Sequence, residues 1–483
     1  TIALPAAVRD TLARLADAGH EAALVGGSVR DLVSGQAPQD WDVASAAPPE
    51  AVADLFPGSS WENRFGTVTV TGAEGVEVQV TTFRFEGPYL DQRRPDSVSW
   101  GRSLEEDLSR RDFTVNAIAW RPHDLANGEG SLVDPHGGMA DLAAGVLRAV
   151  GHPEARFAED ALRMVRAARF AARLGLQIDE PTADAIRRHA ADAAGLSGER
   201  VRDEVLRMLE PADPARPPSV AFRLLEGLGL LEVLLPELAA LRGIPQAKSL
   251  PGDALDHSLR TADALPAGRP LLRLAGLLHD LGKATTLADG HFIGHEVAGA
   301  TLAETVADRL RLSRADIRRL TRLVRQHMFA YTPDWTDAAV RRFIRRVGTD
   351  LLEDLFALRA ADNAASGVAQ PQAAGLDELR ARIAGVMAAG PLTHAQLAVD
   401  GHDLTAELGI APGPLVGELL NRLLEAAVDD PSVNERERLL ELARRWAAPG
   451  GASRQHRASD GRDEGAADDG PAATIGDPGA MPT

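Results

Sequence analysis

The chain has 483 residues, a formal net charge of −18 at pH 7 and no cysteine. Its length predicts about two to four domains, and its acidity argues against a uniformly basic nucleic-acid surface, although arginines can still concentrate on one face. Without cysteine there are no disulfides and no thiolate-bound zinc, so histidines and carboxylates are the strong metal ligands. The chain has no eighteen-residue apolar run and neither a basic leader nor a signal-type apolar segment at its N-terminus. We therefore expect a cytoplasmic protein without membrane contact.

The first part of the chain mixes short β-rich runs with turns, which predicts an α/β or α+β head at residues 1–150. Strands are predicted at 22–25, 41–44, 67–70 and 76–82, and helices at 4–20 and 28–34. From about residue 155 to the 440s a 3.6-residue periodicity predicts an all-helical body. Proline clusters at 211–218 and 266–270 are expected to break its helices.

A candidate phosphate site begins where a predicted strand ends at Gly26 and Gly27 and a helix follows. Backbone N–H groups and the helix dipole can approach a phosphate there. Further on, Asp40 and Asp42 flank Trp41 at a strand start, and the two-residue period points both carboxylates to one face. Such a pair can hold two Mg²⁺ ions, which would activate a hydroxyl and neutralise a departing pyrophosphate. Solvated acids at a strand end are the alternative, which the preceding Gly-Gly turn disfavours.

Three further segments follow in order. They are the run 110–117 with Arg111, Asp112 and Asn116, the turn 134–142, and the run from Glu159 that carries Asp160, Arg163, Arg166, Arg169 and Arg173. Together with the Gly-Gly and Asp-x-Asp element, they resemble the motifs of class II tRNA nucleotidyltransferases, the CCA-adding enzymes and their bacterial poly(A) polymerase relatives. The resemblance covers residues 20 to 175 with these motifs and continues to the region around residue 445.

The resemblance implies a polymerase-beta-like nucleotidyltransferase head, a small mixed sheet with helices, that adds C and A from CTP and ATP to the 3′ end of tRNA. Asp40 and Asp42 would be catalytic and would hold Mg²⁺. The implied nucleotide-binding residues are Gly27, Arg30, Arg111, Asp112, Asn116, Asp160, Arg163, Arg166 and Arg169. Arg111 would bind the triphosphate, and Asp112 and Asn116 would lie near the ribose. Asp160 and Arg163, three residues apart on one helix, would face the Watson–Crick edge of the incoming base.

Close relatives share nearly all of these motifs, so A-only and CC-only addition and poly(A) synthesis stay open. The segment Phe85–Trp100 resembles the flexible loop with which full CCA-adding enzymes switch from C to A. The run 64–70 resembles the Gly-Thr strand of tRNA-type enzymes. The loop favours CCA or A addition, and the strand favours a tRNA-type enzyme over a poly(A) polymerase. A regulator that binds RNA without catalysis is a further alternative, which the intact Asp40 and Asp42 disfavour.

A second candidate metal site follows an apolar helical run at 271–278, which ends in His279 and Asp280, where Gly282 is expected to permit a turn. A buried aspartate beside a histidine needs a partner, and a metal supplies one. The pair, with residues before and after it, resembles the ligands of the HD phosphohydrolases. The implied ligand set is His257, His279, Asp280 and Asp362, with His295 and His327 as the additional histidines of two-metal members.

The HD resemblance implies a 2′,3′-cyclic phosphodiesterase and phosphatase that cleans RNA 3′ ends by metal-activated water, with Lys283 or an arginine steadying the phosphate. Nitrogen-rich ligation suits Mn²⁺, Ni²⁺, Co²⁺ or Fe better than Mg²⁺. A folded brace or a dimer contact without activity is the alternative.

Arginines recur at helical spacing at 318–325 and 341–346, which predicts phosphate contacts to a tRNA acceptor stem. A solvated face with acidic partners is the alternative. We expect a head at 1–150, a nucleotide-recognising and RNA-binding neck at 151–248, an HD domain at 249–370, a helical tRNA-binding region at 371–448 and a disordered tail at 449–483. The predicted partners are tRNA, CTP and ATP, in a monomer or homodimer.

Overall fold

The computed structural model describes residues 2–62, 66–72, 75–86, 98–100, 103–211, 213–246, 249–367 and 371–448. The predicted tail, the positions 87–97 of the predicted loop, and Arg64 and Phe65 lie outside the described residues. The chain divides into two compact units, Thr1–Phe329 with Glu353–Ala369, and Ala330–Leu352 with Gln370–Thr483. Within the described ranges, none of the helices combines the length and the hydropathy that a membrane span requires.

The head alternates strands and helices. Its elements are α1 (Ala6–Asp17), β1 (Ala22–Val25), α2 (Gly27–Val33), β2 (Trp41–Ser45), α3 (Pro49–Leu55), β3 (Ser60–Glu62), β4 (Thr67–Thr71), β5 (Glu77–Thr82), β6 (Arg84–Glu86), β7 (Val98–Trp100), α4 (Leu104–Ser109), a 3₁₀ turn (Thr114–Asn116), β8 (Ala119–Asp124), β9 (Glu129–Val133), α5 (Gly138–Ala144) and β10 (Val146–Leu147). The four predicted strands and two predicted helices are present with ends shifted by a few residues. β8 and β9 were not predicted, because they contain Pro122 and Gly130, and proline and glycine are typical of turns.

Seven head strands form one mixed sheet in the order β3-β4-β5-β2-β1-β8-β9. The central β1 pairs antiparallel with β2 and β8, which places Leu24 opposite Val43 and Trp120. All four β1 residues are buried, as is typical of a strand covered on both faces. Leu24 belongs to the core on one face, with α1 and α3, while Val25 belongs to the core on the other, with α4. The predicted mixed sheet with helices is confirmed.

The rest of the described chain is helical apart from β11, which pairs with β10 in parallel. Its elements are α6 (Pro153–Glu159), α7 (Leu162–Leu174), β11 (Gln177–Ile178), α8 (Glu180–His189), α9 (Gly198–Leu209), α10 (Pro218–Gly227), α11 (Leu231–Leu234), α12 (Pro236–Ala239), α13 (Ala254–Ala264), α14 (Pro270–Leu278), α15 (Lys283–Thr286), α16 (His295–Arg309), α17 (Arg314–Gln326), α18 (Asp337–Val347), α19 (Leu352–Ala365), α20 (Pro371–Ala389), α21 (Gly401–Leu408), α22 (Pro414–Asp429) and α23 (Arg436–Ala447). Pro218 and Pro270 begin α10 and α14, since a first-turn proline loses no intrahelical bond.

The second unit consists of α18 and α20 to α23 with their connections. Leu404, Leu419, Leu423 and Leu439 form a buried core between α21, α22 and α23. Arg341 on α18 is also buried, and its Nε donates to the backbone oxygen of Val428 at 2.6 Å. A guanidinium therefore helps to fix α18 against the end of α22.

The central strand gives a stability prediction. Leu24→Ala is expected to lower the free energy of unfolding by about 2–5 kcal/mol, because Leu24 is fully buried and a cavity would remain. Leu132→Ala on β9 is the matched control, because Leu132 is 45% exposed and should cost about 1 kcal/mol or less. Urea unfolding followed by tryptophan fluorescence measures both. Equal losses in the two variants would contradict the placement of β1 in the core.

Candidate functional site

A polar cleft of about 1190 Å³ lies between the head sheet and helices α7 and α9 of the first unit. Ten arginines and seven acids line it, so positive charge concentrates here although the chain as a whole is acidic. All the residues predicted to be catalytic or nucleotide-binding line this one cleft. They are Asp40, Asp42, Gly27, Arg30, Arg111, Asp112, Asn116, Asp160, Arg163, Arg166 and Arg169.

The turn between β1 and α2 requires glycine at Gly26. Its backbone has φ +69° and ψ −129°, a conformation that residues with a Cβ rarely adopt. A Cβ there would also lie 2.7 Å from Nη1 of Arg111. The absent side chain therefore allows the Arg111 guanidinium to lie directly against the turn. Arg111 is held from its other side by Asp107, whose Oδ2 accepts from Nη2 at 3.0 Å.

Asp40 and Asp42 stand at the start of β2, and both line the cleft. In the sheet, Asp42 lies opposite Gln79 of β5, which also lines the cleft. Burial raises the pKa of Asp42 above its usual value, and the charge of Asp40 adds to this, whereas Arg111 and Arg30 oppose it. Two acids on one wall, one of which disfavours ionisation of Asp42, suit an added cation, so this pair could hold divalent metal ions.

A buried hydrogen-bond network joins α2, the 3₁₀ turn and α7. Arg30 donates from Nη1 to Oδ1 of Asn116 at 2.6 Å, and Nδ2 of Asn116 donates to Oδ1 of Asp112 at 3.1 Å. Nε of Arg166 donates to the other oxygen of Asp112 at 2.8 Å. Burial alone would raise the pKa of Asp112, but Arg166 and Asn116 hold it below its usual value. The side chains predicted to lie near the ribose are thus fixed by one another.

The prediction that Asp160 and Arg163 share one helix is wrong. α6 ends at Glu159, Asp160 has extended backbone angles, and α7 begins at Leu162. Oδ1 of Asp160 accepts from the backbone N–H of Leu162 at 3.1 Å, so the carboxylate helps to start α7 instead of belonging to it. Both side chains nevertheless line the cleft.

The side chains of this pair do not hydrogen-bond to each other among the described residues, although the backbone N–H of Arg163 donates to the backbone oxygen of Asp160 at 3.0 Å. Oδ2 of Asp160 accepts from Nη2 of Arg200 on α9 at 2.7 Å. Arg163 donates from Nη1 to Glu159 at 2.8 Å and from Nη2 to the backbone oxygen of Arg110 at 2.9 Å. Each group is therefore oriented by a third residue before any ligand arrives.

Glu204 on α9 is a buried acid that no sequence pattern singled out. Its side chain is 3% exposed, and Oε2 accepts from Nε of Arg169 at 2.5 Å. Its Oε1 lies 3.7 Å from Nη1 of Arg166. The guanidinium carbons of Arg169 and Arg166 lie 4.1 and 5.0 Å from the ring centre of Phe170, which lines the cleft. On the helical pattern alone, Glu204 looks like any polar helix residue, because its partners come from another helix.

Four arginines of the two arginine stripes, at 318–325 and 341–346, form ion pairs with acids on other helices. The pairs are Arg319 with Asp354, Arg325 with Glu296, Arg342 with Asp429, and Arg345 with Glu425. Few acids lie at suitable offsets within the stripes, so these partners could not be seen locally. The contacts favour the alternative of structural ion pairs for these four arginines, and phosphate binding by the stripes stays a prediction.

A second site lies among the helices of the first unit, where α13, α14, α16, α17 and α19 bring the six predicted histidines and aspartates together. Asp280 is shared between two possible metal-binding groups, one with His257 and His279 and one with His295 and His327. Its Oδ2 lies 3.2 Å from Nε2 of His279, and its Oδ1 lies 3.4 Å from Nε2 of His295. Asp362 completes the first group, with Oδ1 3.0 Å from Nε2 of His257.

The imidazoles are oriented by backbone carbonyls. In each of these rings, Nδ1 contacts the backbone carbonyl three residues earlier. The distances are 2.7 Å for His279, 2.8 Å for His295 and 2.6 Å for His327. The Nε2 atom of each ring therefore faces the cluster. In the described part of the chain, Nε2 of His295 and of His327 is buried without a hydrogen-bond partner. Oriented rings with orphaned nitrogens beside a shared carboxylate fit the donor set of a transition-metal site.

The ionisation states of the cluster also fit metal binding. Burial lowers the pKa of His279 to about 4, so its imidazole is neutral at pH 7, the form that ligates metals. Burial opposes ionisation of Asp280, but its contacts with His279, His295 and His327 hold its pKa well below its usual value. A neutral imidazole beside an ionised carboxylate is what a divalent cation requires.

Gly282 is needed for a different reason from the one predicted. Its φ is −63°, so no left-handed turn occurs there. A Cβ at Gly282 would instead lie 2.0 Å from the backbone oxygen of His295. The glycine therefore allows the end of α14 to approach the start of α16, which brings His279 and His295 to the same carboxylate. Next to it, buried Lys283 donates from Nζ to Oδ2 of Asp280 at 2.6 Å.

Comparison with known proteins identifies the family of the chain. The family described as "Poly A polymerase head domain" matches residues 22–148, "Probable RNA and SrmB- binding site of polymerase A" matches 175–241, and a second tRNA nucleotidyltransferase domain matches 300–443. The A-adding tRNA nucleotidyltransferase of Deinococcus radiodurans is 38% identical over 88% of this chain and 95% of its own length. The CCA-adding enzyme of Geobacillus kaustophilus is 35% identical over 87% and 92%.

A solved structure gives the same result. The Bacillus stearothermophilus CCA-adding enzyme in complex with CTP superposes with a TM-score of 0.64 and 30% identity, over 90% of this chain and 95% of that one. The matches extend over head and helical body alike. The chain belongs to the tRNA nucleotidyltransferase family.

Proposed function

We propose that this protein completes the 3′ end of tRNA by adding C and A from CTP and ATP, and that its histidine–aspartate cluster hydrolyses phosphate esters at RNA 3′ ends. The gathering of Asp40, Asp42 and every predicted nucleotide-binding residue in one arginine-rich cleft carries the first part. The relatives named as CCA-adding enzymes, one of them in complex with CTP, support the same assignment.

In this proposal, Asp40 and Asp42 hold Mg²⁺ at the start of β2. The bound ions would activate the attacking hydroxyl of the tRNA end and neutralise the departing pyrophosphate. Arg111 lies against the Gly26 turn and is oriented by Asp107, so it is placed to bind triphosphate oxygens. Asp112 and Asn116 define the ribose side of the cleft through the network that ends on Arg30 and Arg166.

Base selection is assigned to Asp160 and Arg163. A carboxylate acceptor and a guanidinium donor can pair with the Watson–Crick edges of C or A and leave those of G and U mismatched. Arg200 holds Asp160, and Glu159 holds Arg163, so both groups are restrained without being on one helix. Selectivity for C and then A would depend on how Arg200 and Glu159 reposition the Asp160 and Arg163 side chains as the RNA end grows.

A-only addition is the second candidate, because the Deinococcus radiodurans relative named as an A-adding enzyme matches 88% of the chain. Residues 87–97 of the Phe85–Trp100 segment lie outside the described residues. Its ends, β6 and β7, pair antiparallel.

Purified protein on tRNAs that end before C74, before C75 and before A76 separates the candidates. With each NTP supplied alone and in combination, we expect stepwise addition of C, C and A that stops at CCA. Incorporation restricted to tRNA ending in CC would indicate the A-only enzyme. Growth beyond A76 with ATP alone would indicate poly(A) synthesis, and addition that stops at CC would indicate the CC-only enzyme.

Removal of one carboxylate tests the metal assignment. Asp42→Ala is expected to reduce nucleotide incorporation about a hundredfold or more, because metal stabilisation of a transition state is worth several kcal/mol. tRNA binding, measured by filter retention, should be unchanged. The matched control is Asp54→Ala on α3, an exposed acid away from the cleft, which should incorporate normally. Normal incorporation by Asp42→Ala would reject the catalytic role of this acid pair.

The second part of the proposal rests on the cluster around Asp280. The two groups of donors that share this carboxylate suit a pair of transition-metal ions such as Mn²⁺, Ni²⁺, Co²⁺ or Fe. Metals held there would activate water for attack on phosphorus and stabilise the charge that develops. The residues of the chain orient the site, because backbone carbonyls fix the rings of His279, His295 and His327. A cyclic phosphate at a damaged RNA end is the proposed substrate, which water opens to a monoester.

Loss of one ligand should separate the two activities. His279→Ala is expected to abolish Mn²⁺- or Ni²⁺-dependent hydrolysis of 2′,3′-cyclic AMP and to leave nucleotide addition within about twofold, because no cluster residue lines the cleft. Normal addition also reports that the variant folds. His402→Ala, which changes an exposed histidine on α21, serves as the control and should keep both activities. Hydrolysis that survives in His279→Ala, or in chelator-treated wild type, would reject the metal assignment.

A further inference from the structure

One polar side chain next to the cluster belongs to none of the motifs. Gln246 lies in the connection between α12 and α13, and its Oε1 accepts from Nζ of Lys283 at 3.0 Å. The same ammonium donates to Oδ2 of Asp280 at 2.6 Å. Two hydrogen bonds therefore join the Gln246 amide to the carboxylate shared by both groups of metal ligands.

The connection is fixed to the helix that carries His257. An isolated bridge pairs Pro245 with Asp253, which caps α13 by accepting from the N–H of Asp256. The backbone N–H of Ala254 also donates to the oxygen of Ile244 at 2.9 Å. The segment that leads to Gln246 is thus bonded to the start of α13 by this bridge and by the neighbouring backbone hydrogen bond.

The amide can face Lys283 in only one way. An ammonium has donors and no acceptor, so the oxygen of Gln246 must point toward it and the NH₂ must point elsewhere. Nε2 of Gln246 is buried and has no hydrogen-bond partner among the described residues. A buried N–H donor without a partner costs free energy of folding. Its presence here is explained if the donor binds a ligand.

The surroundings indicate what this donor would bind. Nε2 of His295 and of His327, also orphaned, belong to the same cluster, and Lys283 adds a buried positive charge. A neutral N–H beside an ammonium and a metal-binding cluster suits an anionic oxygen of a phosphoryl group.

We propose that Gln246 binds the phosphoryl group at the cluster, with its Nε2–H donating to a non-bridging phosphate oxygen while its Oε1 holds Lys283 in place. This assignment rests on the proposed phosphohydrolase function and adds a residue that binds the substrate at that site. No bond is made or broken by Gln246, so its contribution is to substrate affinity and orientation.

Two substitutions separate the donor from the acceptor. Gln246→Ala removes both, whereas Gln246→Glu keeps an oxygen for Lys283 and loses the N–H. Both are expected to raise KM for 2′,3′-cyclic AMP and the Kd for inorganic phosphate by about ten- to hundredfold, because a hydrogen bond to a charged group is lost. Kd is measured by isothermal titration calorimetry on the metal-loaded protein. Metal content by plasma mass spectrometry and nucleotide addition should both match wild type. Gln177→Glu, an exposed glutamine on β11, is the matched control.

The outcomes are distinguishable. Phosphate binding that Gln246→Glu leaves within twofold of wild type, with Gln246→Ala alone impaired, overturns the donor role and leaves only support of Lys283. Lower metal content in both variants also overturns it, because the residue would then act through the metal site. A wild type that binds phosphate without hydrolysis rejects the phosphohydrolase function, yet the change in Kd still decides the role of Gln246. A wild type that neither binds nor hydrolyses overturns both.

Discussion

The ion pairs of Arg166 join the head to the helical body, and the shape of the cleft depends on them. Arg166 on α7 lies 2.7 Å from Asp112 of the head and 3.7 Å from Glu204 of α9. Glu204 also pairs with Arg169, so removal of Arg166 would chiefly leave the buried Asp112 carboxylate without its ion pair, at a cost of about 3–5 kcal/mol. The same contact fixes Asp112, which orients Asn116 and, through it, Arg30. Through these hydrogen bonds, the guanidinium of Arg166 connects the neck helices to the helix that follows the β1–α2 turn.

The two candidate sites use different donors for different tasks. The cleft offers oxygen ligands and many guanidiniums, a combination that suits Mg²⁺ and a triphosphate. The cluster offers imidazole nitrogens around one shared carboxylate, which suits transition metals. Both lie in the first unit but on separate elements, with the cleft between the head sheet and α7–α9 and the cluster on α13, α14, α16, α17 and α19. Because the two sites share no residue, we expect the proposed nucleotide addition and phosphate hydrolysis to be independent.

Local patterns predicted much of the head and the composition of both sites. Alternating burial in β4 and β5 follows from the two-residue period, and the Gly26 turn follows from a conformation that only glycine adopts easily. The helix assigned to Asp160 and Arg163 shows the limit of this reasoning. A period of 3.6 residues cannot reveal that the Asp160 carboxylate caps the next helix, because capping competes with helix continuation at the same residue.

The sequence by itself determined which residues could do chemistry, since carboxylates, imidazoles and glycines have fixed ligand and backbone properties. Only the tertiary structure decided which of them meet and how they are held. Glu204 contacts Arg169 across 35 positions, Arg200 contacts Asp160 across 40, and Gln246 reaches Lys283 across 37. Such partners are set by the packing of whole elements, whereas sequence patterns report neighbours within about one helical turn. Gly282 shows the same division, because its identity was readable, but its purpose, the close approach of α16, needed the packed structure.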